Sequence, residues 1–251
     1  MTQPLKQSIQ AHFDPRVTAL GFASVERFAD APERHHPANL CKDAQTVVVL
    51  AISVPRGVLR SPDYHLHALH RTYHTVYKHL DELSLELSNF IESQGDHMAV
   101  AVPSYAPMVF HDMEPWGLLS LKHAAVAAGL GAFGRSGQMY HPKHGSRLRL
   151  AAVVTDAALP PDPMNDTLPC PPRCNACRKA CPPQAFKEGG QFQKMTCLQH
   201  TIKHAIYPLA LKDEAGLKHI ERVVNTAGHD YWLACNECMR ACPLNRPGKK
   251  K

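Results

Sequence analysis

The segment Cys170-Pro-Pro-Arg-Cys174-Asn-Ala-Cys177-Arg-Lys-Ala-Cys181-Pro182 holds four of the nine cysteines of this 251-residue chain. A second run also ends in Cys-Pro, and one more cysteine lies between the runs; these are Cys235, Cys238, Cys242-Pro243 and Cys197. Eight thiolates are the number that two four-iron clusters require, because cluster iron is held by soft, deprotonated sulfur ligands. The last third of the chain therefore predicts a domain that moves electrons.

The spacing is close to the bacterial ferredoxin pattern, in which the last cysteine of each run ligates the cluster of the other run. This rule predicts two [4Fe–4S] clusters with the ligand sets Cys170, Cys174, Cys177, Cys242 and Cys181, Cys197, Cys235, Cys238. Cys197 is assigned because the second run lacks a fourth ligand. A pair of structural zinc sites is the alternative, since Cys-x2-Cys is also a zinc-ribbon spacing.

The composition is that of an ordinary globular protein, with an apolar fraction of 44% and a net charge of +6. The charge suits an anionic partner or cofactor, although part of the excess comes from the lysine tail, residues 249–251. No export signal is visible, and the longest apolar run, residues 47–52, is too short to cross a bilayer. We therefore expect a cytoplasmic protein without disulfides or a membrane partner.

The first 160 residues show the mixture of strand and helix patterns that is typical of an α+β fold. Residues 46–52, 99–102 and 148–154 predict buried strands. A helix is predicted from Ser61-Pro62 to Gly95, with an apolar stripe at steps of three and four; it comprises Leu66, Leu69, Tyr73, Val76, Leu80, Leu83, Leu87 and Phe90. His70 and His74 are expected on its solvated face.

A proline-rich linker or wrapping loop begins near residue 158 and divides the chain into two predicted domains, residues 1–160 and 161–251. Two further helices are expected in the second domain, at residues 195–206 and 217–224.

The second concentrated signal is a glycine run in which Gly129, Gly131 and Gly134 match G-x-G-x-x-G. A dinucleotide-binding motif needs a strand before the glycines and a helix after them. Here an alanine-rich helix comes first and a strand follows, so we reject that interpretation. The glycines instead predict either a turn at a helix end or a backbone that approaches a large, flat ligand.

These motifs together resemble those of the epoxyqueuosine reductase family, which is related to the reductive dehalogenases. The resemblance rests on Ala127-Ala128-Gly129-Leu130-Gly131, Gly134-Arg135-Ser136-Gly137, His141-Pro142, Gly145-Ser146-Arg147-Leu148-Arg149-Leu150, Thr155-Asp156 and Tyr73-His74, with both cysteine runs. It covers residues 46 to about 245. It implies a nitroreductase-like cobalamin-binding domain followed by a ferredoxin-like domain with two [4Fe–4S] clusters, in which electrons pass from the clusters to cobalt.

The resemblance also implies a set of cofactor-binding residues beside the glycine run. These are Lys122, His123, Gly129, Gly131, Gly134, Arg135, Ser136 and Arg147, whose charged members suit phosphate oxygens. Flavin is the alternative occupant, because a nitroreductase-like fold also suits it. The electron donor is expected to be a protein such as a ferredoxin or flavodoxin.

The chain departs from the family where the reductases carry an aspartate that is thought to donate a proton. The matching stretch, residues 102–107, has no aspartate, so Tyr105 is the first candidate for the proton donor and Asp112 the second. The chain ends at Lys251, where family members often continue into a helical tRNA-binding extension. Three functions stay open: a cobalamin-dependent reductase of a small substrate, a short epoxyqueuosine reductase acting on tRNA, and a corrinoid-reducing or electron-transfer protein without an organic substrate.

Overall fold

The computed structural model describes residues 2–105, 108–111, 114–165, 167–187, 191–204 and 231–246. The chain forms two compact units. The first comprises Met1–Val54 and Val76–Cys170, and the second comprises Pro55–Thr75 and Pro171–Lys251. The predicted mixture of helix and sheet is confirmed, while the predicted domain division at residue 160 stays a prediction.

The first 160 residues alternate helices with strands, which form a four-stranded sheet and two short two-stranded sheets. In chain order they are α1 (Thr2–Phe13), β1 (Ala19–Ser24), β2 (Thr46–Ser53), α2 (Arg56–Arg60), α3 (His65–Ser93), β3 (Ala99–Val102), β4 (Met108–His111), β5 (Glu114–Gly117), α4 (Leu121–Ala127), β6 (Ala132–Phe133), β7 (Met139–Tyr140) and β8 (Leu148–Thr155). The three strands expected from the sequence are β2, β3 and β8.

The main sheet of the first unit has the strand order β1-β2-β8-β3, and every neighbouring pair is antiparallel. Alternate residues of a strand point to opposite faces. Val48 and Leu50 accordingly pack with α1 and the carboxyl-terminal part of α3, whereas Val47 and Val49 pack with α4. The sheet is thus buried on both faces between helices, which explains why β2 is a nearly continuous apolar run.

Helix α3 has the predicted apolar stripe, and Leu69, Leu80, Leu83 and Leu87 are almost completely buried. The helix begins at His65, three residues after the predicted start, because residues 62–64 form a turn and Ser61 ends α2. Its 29 residues extend over about 44 Å. The boundary between the two units falls inside this helix, between residues 75 and 76.

The proline-rich segment, residues 159–163, lies against α1 and β1 of the first unit, and we call it the strap. The Asp162 carboxylate accepts hydrogen bonds from Lys6 Nζ at 2.6 Å and from the Phe22 main-chain N–H at 3.0 Å. The Asp162 N–H donates back to the Phe22 carbonyl at 2.8 Å, and Arg27 donates to the Asp162 carbonyl at 2.8 Å. The strap therefore satisfies polar groups on the outer edge of β1.

The second unit contains α5 (Ala176–Lys179), α6 (Lys194–Thr201), β9 (Ile202–His204), β10 (Tyr231–Leu233) and α7 (Glu237–Ala241). β9 and β10 pair antiparallel, and α7 packs against both α2 and α5. Helix α6 ends at Thr201, so the prediction of a helix to residue 206 was wrong at its end, where a strand begins. The helix predicted at residues 217–224 lies outside the described residues.

None of the helices in the described part of the chain is both long enough and apolar enough to cross a bilayer.

Candidate functional site

The first glycine of the run ends helix α4. The Leu130 N–H bonds to the Ala125 carbonyl and the Gly129 N–H bonds to the Val126 carbonyl, both at 2.9 Å, which is the hydrogen-bond pattern of a Schellman cap. Gly129 has a φ of +75°, and a side chain there would collide with the Pro163 carbonyl. The prediction of a turn at a helix end is confirmed, and so is the rejection of a dinucleotide-binding motif.

The other glycines build a hairpin from β6 and β7. A side chain at Gly131 would collide with the main chain of Tyr140, and one at Gly134 would collide with the Tyr140 ring. The turn closes with a hydrogen bond of 2.9 Å from the Gly137 N–H to the Gly134 carbonyl, and Gly137 has a φ of +68°. Contacts inside the protein therefore account for all three glycines of the motif.

A cavity of about 130 Å³ opens beside this hairpin, wholly within the first unit. It is lined by Tyr77, Ser104, Leu121, Lys122, Gln138, Met139, Ser146, Leu148, Arg149 and Leu150. Lys122 Nζ donates to the Gly137 carbonyl at 3.0 Å, and Arg149 Nη2 donates to the Ser146 carbonyl at 3.0 Å. Both of these acceptors are uncharged main-chain oxygens, so the two hydrogen bonds orient the side chains without neutralising them.

The neighbouring loop carries further positive charge. This charge comes from Lys143 and Arg147 and not from His141, because burial lowers the pKa of His141 and the nearby His144 and Lys143 lower it further, which favours the neutral ring. Arg147 is buried, and its Nη1 donates to the Val54 carbonyl at 2.6 Å. A region of this kind favours an anionic group such as a phosphate.

The remaining residues predicted to bind a cofactor lie around the hairpin in different settings. Ser136 is buried, with its Oγ 3.0 Å from the Tyr140 hydroxyl, whereas the Arg135 side chain is exposed. His123 lies at the surface, with Nδ1 2.6 Å from Ser120 Oγ and its ring 4.7 Å from that of Phe133. Partial burial lowers the pKa of His123, and Lys122 adds to this effect.

Tyr105, the first candidate for the proton donor, directly follows Ser104, which lines the cavity. Its ring stacks on that of Tyr77 with 5.8 Å between centroids, and its hydroxyl oxygen is shielded from solvent. Its neighbour Ser104 donates from both N–H and Oγ to the same Asp81 carboxylate oxygen, each at 2.8 Å. Asp112, the second candidate, lies outside the described residues.

Five of the predicted cluster ligands lie near enough in the second unit to influence one another electrostatically. Burial raises the pKa of Cys238 to about 12, and the neighbouring thiols of Cys197, Cys235, Cys177 and Cys181 raise it as well. Burial also raises the pKa of Cys235, with Cys197 and Cys181 again contributing. Cysteines from three separate segments thus interact: Cys177 and Cys181, Cys197, and Cys235 and Cys238. Cys177 belongs to the other predicted ligand set, so the division of the eight cysteines into two sets stays a prediction.

These thiols could ligate cationic iron, because a thiol with such a raised pKa stays neutral until a cation stabilises the thiolate. Two of these sulfurs also contact polar groups of the protein. The Ala185 N–H donates to Cys181 Sγ at 3.4 Å, and Cys197 Sγ lies 3.6 Å from Thr201 Oγ1. Within the described ranges, no three His, Cys, Asp or Glu side chains meet as closely as a single-ion site requires.

The other predicted ligand set is divided between the two units. Cys170 ends the first unit, where its Sγ accepts a hydrogen bond of 3.3 Å from the Arg135 N–H. Cys174, Cys177 and Cys242 belong to the second unit, and the last two are buried. Their predicted assignment to one cluster stays a prediction.

The expectation of a solvated histidine face on α3 was wrong for two residues of the second unit. His70 is fully buried and His74 nearly so, and their rings lie 4.4 Å apart. His70 also contacts the Trp232 ring at 4.8 Å and accepts a long hydrogen bond from the Leu233 N–H. Strand β10, which is distant in sequence, covers this face of the helix.

Three residues of the cavity region were missed from the sequence, namely Tyr77, Asp81 and Gln138. Tyr77 and Asp81 lie four apart on α3, and this spacing was the one signal that could have placed them on the same face. Gln138 lies directly after the glycine turn and has no distinguishing pattern.

No family model matches this chain. Its sequence is 26% identical to an epoxyqueuosine reductase of Staphylococcus aureus (strain NCTC 8325 / PS 47) over 253 residues, which cover 96% of this chain. The match spans 58% of the length of that relative, so this chain corresponds to somewhat more than half of it.

Solved structures with the same fold include an epoxyqueuosine reductase bound to an epoxyqueuosine-modified tRNA stem loop, with a TM-score of 0.60 at 19% identity. That match covers 96% of this chain and 65% of the other. A reductive dehalogenase described as B12-dependent has a TM-score of 0.63 at 17% identity, covering 98% of this chain and 33% of the other. The resemblance predicted from the sequence is thereby confirmed: the chain is related in sequence to the epoxyqueuosine reductases and shares a fold with them and with reductive dehalogenases.

Proposed function

We propose that this protein is an oxidoreductase that passes electrons from two [4Fe–4S] clusters to a corrinoid, and that it works in the cytoplasm. The observation that carries the proposal is that the thiols of Cys177, Cys181, Cys197 and Cys235, from three separate segments, all raise the pKa of Cys238. The names of the relatives support it, since they include epoxyqueuosine reductases and a B12-dependent dehalogenase.

When bound, the corrinoid would supply a metal centre that accepts electrons and reacts with a substrate. The chain's own residues would hold it. Lys122 and Arg149 line the cavity, whose volume of about 130 Å³ could admit a phosphate or an amide arm of the corrinoid but not its ring. The Schellman cap at Gly129 and the hairpin at residues 132–140 would fix the position of this wall. We further propose that residues 1–160 have a nitroreductase-like fold that holds the corrinoid. Residues 161–251 would have a ferredoxin-like fold that holds the clusters.

Tyr105 is the proposed proton donor for the reductive step. Its hydroxyl is shielded from solvent and its ring is held against Tyr77, which lines the cavity. A phenol has an ordinary pKa of about 10 and so carries its proton at neutral pH. Asp81 would act indirectly, because it holds the Ser104 N–H and hydroxyl beside Tyr105.

Anaerobic reconstitution with iron and sulfide, with and without cobalamin, tests the proposal. We expect about eight iron atoms per chain and a visible absorption of iron–sulfur clusters. Added cobalamin should co-elute with the protein and show a shifted corrinoid band. Zinc instead of iron, or iron without any uptake of corrinoid, would contradict it, and retention of flavin instead would favour the alternative cofactor.

A short epoxyqueuosine reductase is the second candidate, favoured by the sequence relationship to that family over 96% of this chain. It predicts that reconstituted protein converts epoxyqueuosine to queuosine in a tRNA stem loop when a strong reductant is present. Corrinoid reduction without conversion of this substrate would favour the first candidate or a corrinoid-reducing protein. A ferredoxin or flavodoxin is the proposed physiological electron donor.

A further inference from the structure

The glycine hairpin makes a polar contact with one of the cluster cysteines of the chain. The Arg135 main-chain N–H donates to Cys170 Sγ at 3.3 Å, within the first unit. The preceding Gly134 also lies close, since a Cβ atom there would be 3.2 Å from the same sulfur. The main chain at residues 134 and 135 therefore approaches this sulfur closely.

This donor is held in a defined turn. The Gly137 N–H bonds to the Gly134 carbonyl and the Gly134 N–H bonds to the Gln138 carbonyl, both at 2.9 Å. Gly137 follows with a φ of +68°, as in a three-residue hairpin loop built on a type I turn. Arg135 thus occupies the second position of the turn, and its N–H is not used by the hairpin itself.

The same turn is fixed from the cavity side. Lys122 Nζ donates to the Gly137 carbonyl at 3.0 Å, and the next residues, Gln138 and Met139, line the cavity. The turn is therefore held by α4 on one side and presents a main-chain donor to Cys170 on the other.

We propose that the Arg135 N–H tunes the reduction potential of the cluster that Cys170 ligates. This inference rests on the proposed function. A cluster that gains one electron places more negative charge on its sulfur ligands, and a hydrogen bond to such a ligand stabilises the reduced form. The amide therefore raises the potential of this cluster and leaves the other unchanged. Arg135 is a positioning residue here, and it acts through its main chain.

Two substitutions at one position separate the amide from the side chain. Arg135→Pro removes the N–H, and proline is favoured at the second position of a type I turn, so the hairpin should persist. Arg135→Ala removes the guanidinium and keeps the N–H. Both variants and the wild type are reconstituted with iron and sulfide and titrated anaerobically with dithionite, with the reduced clusters followed by EPR.

We expect the potential of one cluster to fall in Arg135→Pro, while the other cluster keeps its wild-type potential. Arg135→Ala should keep both potentials. Equal potentials in all three proteins, or an equal fall in both variants, would overturn the inference. A wild-type chain that takes up no iron would instead contradict the proposed function, so the two failures are distinguishable.

A second measurement does not depend on the folding of the proline variant. Wild type labelled with ¹⁵N-arginine should show a ¹⁵N coupling to the reduced cluster in pulsed EPR. Arg135→Ala, labelled in the same way, should lose this coupling, because its residue 135 amide is unlabelled although the hydrogen bond remains. Identical ¹⁵N spectra of the two proteins would contradict the inference.

Discussion

The thiol of Cys238 is half-buried near other thiols, and its pKa is raised to about 12. Without metal this side chain is a neutral thiol at pH 7. It becomes a ligand when iron replaces its proton, so metal binding and deprotonation occur together.

Cys238→Ala should reduce the iron content of reconstituted protein by about half, because one of the two proposed clusters loses a ligand. Cys41→Ala is the matched control, since Cys41 is buried in the apolar core of the first unit. Iron and sulfide analysis measures the effect. Full iron content in Cys238→Ala, or a similar loss in Cys41→Ala, would argue against the ligand assignment.

Gly129→Ala should destabilise the protein by at least ~1–2 kcal/mol, because φ is +75° and the new methyl group would collide with the Pro163 carbonyl. Gly57→Ala is the comparison, because Gly57 lies in α2 with open space around its Cα. That change should be neutral or slightly stabilising. Urea denaturation gives both values, and equal stability of the two variants would refute the cap assigned to Gly129.

For individual residues, the sequence was informative where the spacing of residue types alone indicates their chemical role. The positions of the eight cysteines predict them as cluster ligands, which stays a prediction, and the order of helix, glycines and strand correctly excluded a dinucleotide motif. The sequence did not show why residue 131 is a glycine. The structure gives the reason: Tyr140 lies against it across the hairpin and leaves no room for a side chain. The contact between Asp81 and Ser104 also depends on the tertiary fold and has no sequence pattern.

Among the elements, the strap at Asp162 joins parts of the chain that are far apart in sequence. Lys6 of α1 is almost completely buried and has its ammonium group 2.6 Å from the Asp162 carboxylate. Removing the carboxylate would leave this buried charge with a hydrogen bond of 2.8 Å to the uncharged Pro160 carbonyl.

Asp162→Ala should therefore lower the free energy of unfolding by about 2–4 kcal/mol. Asp30→Ala, at an exposed position of the same unit, should change it by less than ~0.5 kcal/mol. Chemical denaturation of both variants is the measurement. A loss below ~1 kcal/mol in Asp162→Ala would mean that the strap contributes little to the fold.

A second link joins α1 and its following turn to α3. Arg16 donates two hydrogen bonds to Glu86, which together with His12 lower the Glu86 pKa from 4.5 to about 2. A carboxylate with a lowered pKa stabilises the fold above pH 4.5, and this contribution is lost as the pH falls towards 2. The pair is partly exposed to solvent, so the effect should be below ~1 kcal/mol.

Glu86→Gln should be slightly less stable than wild type at pH 7 and should lose less stability between pH 4.5 and 2. Denaturation midpoints across this interval measure the difference. The account predicts that the two stability curves converge in acid; parallel curves would show that the ion pair does not contribute.

The sequence predicted the elements with the strongest patterns. β2, β3 and β8 are rich in β-branched or apolar residues, and α3 has a long periodic stripe. Strand β1 was missed because Ala19–Ser24 contains Ala, Gly and Ser and no β-branched residue, and it is specified by pairing with β2. Strands β6 and β7 have two residues each and exist through the glycine turn between them.

On the scale of the whole molecule, the chain crosses between its two units three times, since residues 55–75 join the carboxyl-terminal segment. The sequence did not show this because composition changes only near residue 158. Contacts of the second unit show why the segment belongs there: Tyr73 donates to Met239 Sδ at 3.3 Å, and His67 packs on Trp232 at 5.1 Å.

Removing iron should affect the two units differently. The sheet of the first unit packs on both faces through apolar side chains, whereas the thiols of the second unit need cations to become ligands. In hydrogen exchange, apoprotein should lose protection at residues 171–187 and 231–246, while β2 and β8 keep theirs. A uniform loss across both units would contradict this separation.

The most direct test of the central claim is electron transfer from the clusters to a corrinoid bound to the same chain. Reconstituted wild type and Cys238→Ala, each loaded with cobalamin, are reduced anaerobically under identical conditions, and the corrinoid band is followed over time. The account predicts rapid reduction of bound corrinoid in wild type and a large loss of rate in Cys238→Ala. Equal rates in the two proteins, or corrinoid that remains unbound, would contradict it.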